Sequence, residues 1–210
     1  MTGRVSTSNK HLPPLFFRRR ETVACYQPTT RTPKPKNSLK NFATQVQAVI
    51  AARPAEDKWP VLIMGQDEGR FGRISRPKRC RAPLGIRPHT PAQVVCESMY
   101  IFAAVAPSQG LLSALILPTA NTAMMNLFLE HVSQTFRDYF IVIQTDQASW
   151  HHSKELIIPT NIYLIEQSAY SPELNPVEHL WEELREKYLH NRVFPSLDAL
   201  IEMLCQGGTQ

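Results

Sequence analysis

Three acidic residues stand in settings suited to metal chemistry: Asp67 in VLIMGQDEGRFGR, Asp146 in YFIVIQTDQASWHHS and Glu178 in AYSPELNPVEHLWEELRE. Two of them close apolar runs of strand type, and the third lies just inside a helix opened by the turn SPELNP. Carboxylates presented on strand ends and a helix can hold divalent cations, which activate an attacking oxygen and stabilise a leaving oxygen at a phosphodiester. Three acids suffice for two such ions, with Asp67 as the natural bridge because it sits mid-sheet. An oxygen-only donor set favours magnesium or manganese over zinc. An isolated Asp after a strand is more often a cap or turn residue, and that reading is strongest for Asp146. Glu68 follows Asp67 directly and, in an extended strand, faces the other way. Glu173, Glu182 and Glu183 remain rivals of Glu178 for the third position.

The elements that must carry these acids follow from periodicity. FATQVQAVIAAR, from about Asn41, spaces Phe42, Val46, Val49 and Ile50 as a helix ending before Pro54. VLIMGQD reads as a buried strand and RFGRISRP as a second strand or a turn leaving it. SMYIFAAVA and LLSALILP form a hairpin across PSQG. NTAMMNLFLEHVSQTFRD is a helix capped by Asn121 or Thr122. YFIVIQTD is a strand, HHSKELIIP a short helix and NIYLI a further strand. Pro176 opens the helix VEHLWEELREKYLHN, where Trp181 reads as a core residue, and Ser196 caps a last helix, SLDALIEML. The order predicts an α/β domain with a mixed five-stranded sheet flanked by helices, the ribonuclease-H-like arrangement.

Composition bounds the function. The 210 residues are 20% charged and 43% hydrophobic, enough for one globular domain. No apolar run approaches the ~20 residues of a membrane span, and the N-terminus lacks the apolar core of a signal peptide, so the chain reads as soluble and cytoplasmic. Cys25, Cys80, Cys96 and Cys205 form no CxxC pair, which speaks against a zinc knuckle or a disulfide framework. Net charge is +5, yet residues 1–40 carry +8 and residues 70–90 carry +7, leaving the rest at −10. Such segregation points to a polyanion, nucleic acid first. Arg70, Arg73, Arg76, Lys78, Arg79, Arg81 and Arg87 form the DNA-binding candidates. Arg70 paired to Glu68 on the surface is an equally good reading.

QDEGRFGR, LPTANTAMMNLFL, DQASWHHSKEL and above all YSPELNPVEHLWEELR followed by NRVF resemble the transposases of bacterial insertion sequences in the mariner-like superfamily, which carry a DDE catalytic domain. The likeness runs from about Asn37 to about Leu204. It implies that Asp67, Asp146 and Glu178 are the catalytic and metal-binding triad, which decides the third acid in favour of Glu178. It further implies two Mg2+ or Mn2+ ions, cleavage of double-stranded DNA at transposon ends, strand transfer into a TA target, a homodimer on DNA and a place at the bacterial nucleoid. Trp150 and His151 match residues that recur in the family, and packing or DNA contact suits His151 and His152 better than metal binding. Tyr170 and Pro172 shape the turn that aims Glu178.

Residues 1–40 read as a basic, Pro-rich, flexible arm and 41–210 as the catalytic domain, with CQGGTQ as a truncated end. The family's helix-turn-helix region is not recognisable before Asp67, so specific end recognition is expected either to come from a separate partner chain or to be lost. The approach LIEQSAYSP departs from the family by placing Glu166, Gln167 and Ser168 beside the turn. Two alternatives stay open: a decayed, non-catalytic DNA-binding remnant, and a ribonuclease-H-type nuclease without strand transfer.

Overall fold

The structure, a computed structural model, describes residues 36–75, 77–78, 81–85, 87, 89–148, 153–167 and 175–207. In chain order the elements are α1 (Lys36–Ala51), β1 (Val61–Ile74), β2 (Val94–Ala106), β3 (Leu111–Leu117), α2 (Thr122–Thr135), β4 (Phe140–Thr145), β5 (Ile162–Glu166), α3 (Pro176–Leu184) and α4 (Leu197–Gly207). A single π-helical turn, Arg185–Leu189, prolongs α3.

The strands lie in the order β3-β2-β1-β4-β5. β1 pairs antiparallel with β2 and β2 with β3, while β4 runs parallel to both β1 and β5. This is the mixed five-stranded sheet expected from the sequence. Alternation along the strands feeds two apolar layers. Leu62, Met64, Phe102, Ala104, Ile141 and Ile143 point to one side and pack under Met125, Phe128, Leu129 and Val132 of α2. Phe71, Met99, Ile101 and Ala103 point to the other, beneath Val177 and Trp181 of α3 and Leu200 and Leu204 of α4. On that second side Val46 of α1 covers Val142 and Ile165. Caps fix the helix starts: Asn121 Oδ1 accepts from Met124 N at 2.9 Å, and Ser196 Oγ from Ala199 N at 3.1 Å.

Three expectations need correction. RFGRIS is no separate element, because β1 runs unbroken to Ile74 and pairs with β2 as far as Val94, its register shifting between Gly72 and Ile74. Inward Gly69 and Phe71 continue the alternation that two arginines obscure. The helix α1 starts at Lys36, inside the segment expected to be an arm; residues 1–35 lie outside the described residues. The stretch from Ser153 to Pro159 forms a turn and extended chain rather than a helix. Asn126 of α2 takes over the backbone there, donating to Glu155 O at 3.0 Å and accepting from Ile157 N at 2.9 Å. Those bonds supply the partners a helix would have supplied internally.

Candidate active site

Asp67 stands on the central strand, opposite Ala103 of β2, on the face covered by α3. The glycines on either side of it explain how a helix comes so close. A Cβ at Gly65 would lie 2.5 Å from Pro176 Cδ, and one at Gly69 would lie 3.0 Å from Trp181 Cδ2. Gly65, Asp67 and Gly69 alternate with Gln66 and Glu68, so β1 offers α3 a flat track interrupted only by a carboxylate. Glu68 lies on the opposite face, where its Oε1 accepts from Gln66 Nε2 at 2.8 Å.

The start of α3 is built by local chemistry. Asn175 caps it, its Oδ1 accepting from Val177 N at 3.1 Å, and Pro176 occupies the first turn, where its missing N–H costs nothing. Glu178 is the acid of that first turn, where the positive end of the helix dipole favours a carboxylate. Asn175 also donates through Nδ2 to Gln66 O at 3.0 Å, and Trp181 donates through Nε1 to Asp67 Oδ2 at 2.7 Å. Phe71 meets Trp181 edge-on, ring centroids 5.5 Å apart, completing an apolar wall beside the carboxylate.

Burial is the main influence on Asp67 and pushes its pKa up to about 6. The Trp181 N–H and the Glu68 backbone N–H pull it down, while the charges of Glu178 and Glu68 push it up. Asp67 and Glu178 are thus electrostatic neighbours. Asp146 follows β4 immediately. It lies beyond the last β1–β4 pair, Gly65↔Gln144, and past the end of the strand at Thr145. Asp146 is exposed, and its Oδ1 accepts from Ala148 N at 3.0 Å, the turn-residue behaviour that its sequence setting allowed.

A hard divalent cation suits this donor set, because Asp67 and Glu178 bring only oxygen ligands and their like charges require compensation. Among the described residues no three His, Cys, Asp or Glu side chains converge as a ready-made cage.

The basic candidates separate into tied and free groups. Arg73 is mostly buried: Nη1 pairs with Glu97 at 2.6 Å, Nε donates to Phe194 O at 3.0 Å and Nη2 to Pro195 O at 2.7 Å. It pins β1 to the segment before α4, and the expectation of a guanidinium free for phosphate is corrected accordingly. Lys78 pairs with Glu186, and Asn191 Oδ1 accepts from Lys78 N at 2.9 Å. Arg70 is exposed and donates to Ser98 Oγ at 3.0 Å, not to Glu68. Arg81 and Arg87 are exposed. Arg76, Arg79, Trp150, His151, His152, Ser168, Tyr170, Pro172 and Glu173 lie outside the described residues.

Two contributors escape a sequence reading: Asn175 as a clamp onto β1, and Trp181 as a partner of Asp67. Their signal was present as spacing. Asn175, Glu178 and Trp181 recur every three residues along one side of a helix, and Gly65, Asp67 and Gly69 recur every two along one side of a strand.

Residues 60–201 match the family model described as DDE superfamily endonuclease. An uncharacterized protein, y4pE/y4sA, of Sinorhizobium fredii (strain NBRC 101917 / NGR234) is 38% identical over 107 residues, which is 50% of this chain and 79% of the relative. Among solved structures, the Mos1 mariner paired end complex with Mn is 16% identical with a TM-score of 0.57, over 88% of this chain and 59% of that one. The Mos1 strand transfer complex is likewise 16% identical, with a TM-score of 0.56 over 88% and 58%. The catalytic domain of Mos1 mariner transposase gives 13% and 0.51, covering 85% of this chain and 84% of that one. The likeness establishes a shared ribonuclease-H-like fold. The chain spans somewhat under two thirds of the Mos1 chains in the two complexes.

Proposed function

The chain belongs to the DDE superfamily endonucleases, and from that premise we propose that it is the catalytic domain of a transposase, which cuts DNA at transposon ends and joins the freed 3′ ends to target DNA. The observation that carries the reading is Asp67, largely buried on the central strand, bonded to Trp181 and within the field of Glu178. Asp67 and Glu178, with Asp146 just past the end of β4, are the residues that would hold Mg2+ or Mn2+, two ions in the full reading. When bound there, such cations would supply activation of the attacking oxygen and stabilisation of the leaving one.

The chain's own part is positional. Asp67 is fixed by the indole N–H, Glu178 by the first turn of α3, and Asp146 by the end of β4. Fixed carboxylates serve both steps, since only the nucleophile changes, from water to a 3′-hydroxyl, and no covalent bond to the protein is required. Exposed Arg70, Arg81 and Arg87 supply sequence-independent attraction for phosphates. The proposal includes double-stranded DNA as partner, a TA target, a homodimer holding two ends, a separate helix-turn-helix chain for end recognition, and action at the bacterial nucleoid. Similarity to the Mos1 paired end and strand transfer complexes supports DNA as the partner. Among the described residues no helix is long and apolar enough to cross a membrane. Residues 41–210 form the catalytic unit in this reading, with the basic segment before it an accessory to DNA binding.

The test is Mn2+-dependent nicking of plasmid DNA by the purified chain, followed by joining of pre-cut 3′-OH ends to a supercoiled target. Asp67→Asn, Asp146→Asn and Glu178→Gln should each lose more than the roughly 10–100-fold that disturbing an outer-shell partner costs. Nicking without joined product would mark a plain nuclease. DNA binding with no metal-dependent nicking would mark a non-catalytic remnant and overturn the proposal.

A further inference from the structure

We propose that Asn175 and Trp181 are positioning residues, a two-point clamp that fixes α3 on β1 and thereby sets the approach of Glu178 to Asp67. The inference rests on the metal-site reading above and deepens it. Asn175 Nδ2 grips the carbonyl of Gln66, and Trp181 Nε1 grips the carboxylate of the next residue, Asp67. The two donors are six residues apart, about 9 Å along a helix axis. Glu178 sits midway, three residues from each. A helix held at one point pivots about it. Held at two, it cannot move its midpoint without breaking a bond.

The rest of the interface removes the other freedoms. Pro176 abuts Gly65 and the indole abuts Gly69, so sliding along β1 would drive either ring into a neighbouring side chain. Rotation of α3 is opposed by Val177 and Trp181, both buried in the layer with Phe71, Ile101 and Ala103. Asn175 is itself buried, and it spends one polar end on capping and the other on the strand. A cap alone needs only the first. Glu178 reaches the site only because its helix is docked, whereas Asp67 is placed by the sheet itself. The clamp is therefore what couples the two acids.

Substitutions separate this role from simple packing. Trp181→Phe keeps an aromatic ring and removes the donor, and replacement of Trp181 by 3-benzothienylalanine keeps the bicyclic shape and removes only the N–H. Asn175→Ser keeps a cap and is too short to reach Gln66 O. The full chain would be titrated with Mn2+ by electron paramagnetic resonance, with the indole N–H resonances followed during a parallel Mg2+ titration. Thermal unfolding would be measured alongside.

Both Trp181 replacements and Asn175→Ser should weaken Mn2+ binding about tenfold, and lower kcat for nicking without changing KM for DNA. The benzothienyl variant should do so with its melting temperature within a few degrees of wild type. Wild-type Mg2+ should shift one indole resonance, absent from Trp181→Phe. Mn2+ affinity within twofold of wild type in the benzothienyl variant, with wild type binding normally, would overturn the clamp. A wild type that binds no Mn2+ would overturn the metal-site reading on which it rests.

Discussion

At pH 5 an exposed aspartate is ionised, whereas Asp67, pushed up to about 6 chiefly by burial, keeps most of its proton. Its folded pKa lies above its unfolded one, so the stabilisation it gives is complete below about pH 4 and is lost as pH rises through about 6. The loss amounts to at most roughly 3 kcal/mol. Urea midpoints of the metal-free chain should therefore fall between pH 4 and 7 relative to Asp67→Asn, which carries no charge to desolvate. Parallel curves for the two proteins would refute the assignment. Saturating Mg2+ should restore the wild type at pH 7, since a bound cation replaces the lost proton. Arg73 makes the opposite point about charge: its three bonds are internal, so Arg73→Ala should cost roughly 1–3 kcal/mol in urea unfolding and change DNA affinity little.

Among elements, the seat of α3 on β1 matters most. Gly65→Ala places a Cβ 2.5 Å from Pro176 Cδ, and the ring cannot yield without lifting the helix start. A cost of about 1–3 kcal/mol is expected, together with weakened Mn2+ binding, readable from unfolding curves and a metal titration on one preparation. An unchanged metal affinity would mean that α3 shifts without disturbing Glu178. By contrast Asn121→Ala, at the cap of α2 on the far side of the sheet, should cost about 1 kcal/mol and leave metal binding alone. Most of these elements were legible in the sequence, because apolar alternation marks β2, β3 and β4 and helical spacing with caps marks α2, α3 and α4. The exceptions have local causes. Arginines masked the second half of β1, and Asn126 replaced the internal bonds of a helix that the residues before Pro159 could otherwise have formed.

At the scale of the molecule, segregated charge would govern the proposed encounter with DNA. Affinity for duplex DNA should fall steeply with salt and depend little on sequence. Arg81→Ala and Arg87→Ala should each flatten the log–log salt slope by about 1, as measured by fluorescence anisotropy from 50 to 200 mM salt. Lys78→Ala should act more weakly on the slope, because its ammonium is paired with Glu186 and its backbone with Asn191. Equal effects from Lys78 and Arg87 would show that the Glu186 pair opens on binding.

The sequence by itself determined the layered α/β order, the positions of the three candidate acids and the basic stretches, since periodicity, turn residues and a specific motif are written in neighbouring positions. Only the tertiary structure decided which cations are spent inside the protein and what seats the helix of Glu178 on the strand of Asp67. Arg73 meets Phe194 across 121 positions, Trp181 meets Asp67 across 114, and Asn175 meets Gln66 across 109. Such bonds depend on how a helix seats on a strand. Seating is fixed by the whole sheet, and the local spacing of Asn175, Glu178 and Trp181 does not say which strand residues they meet.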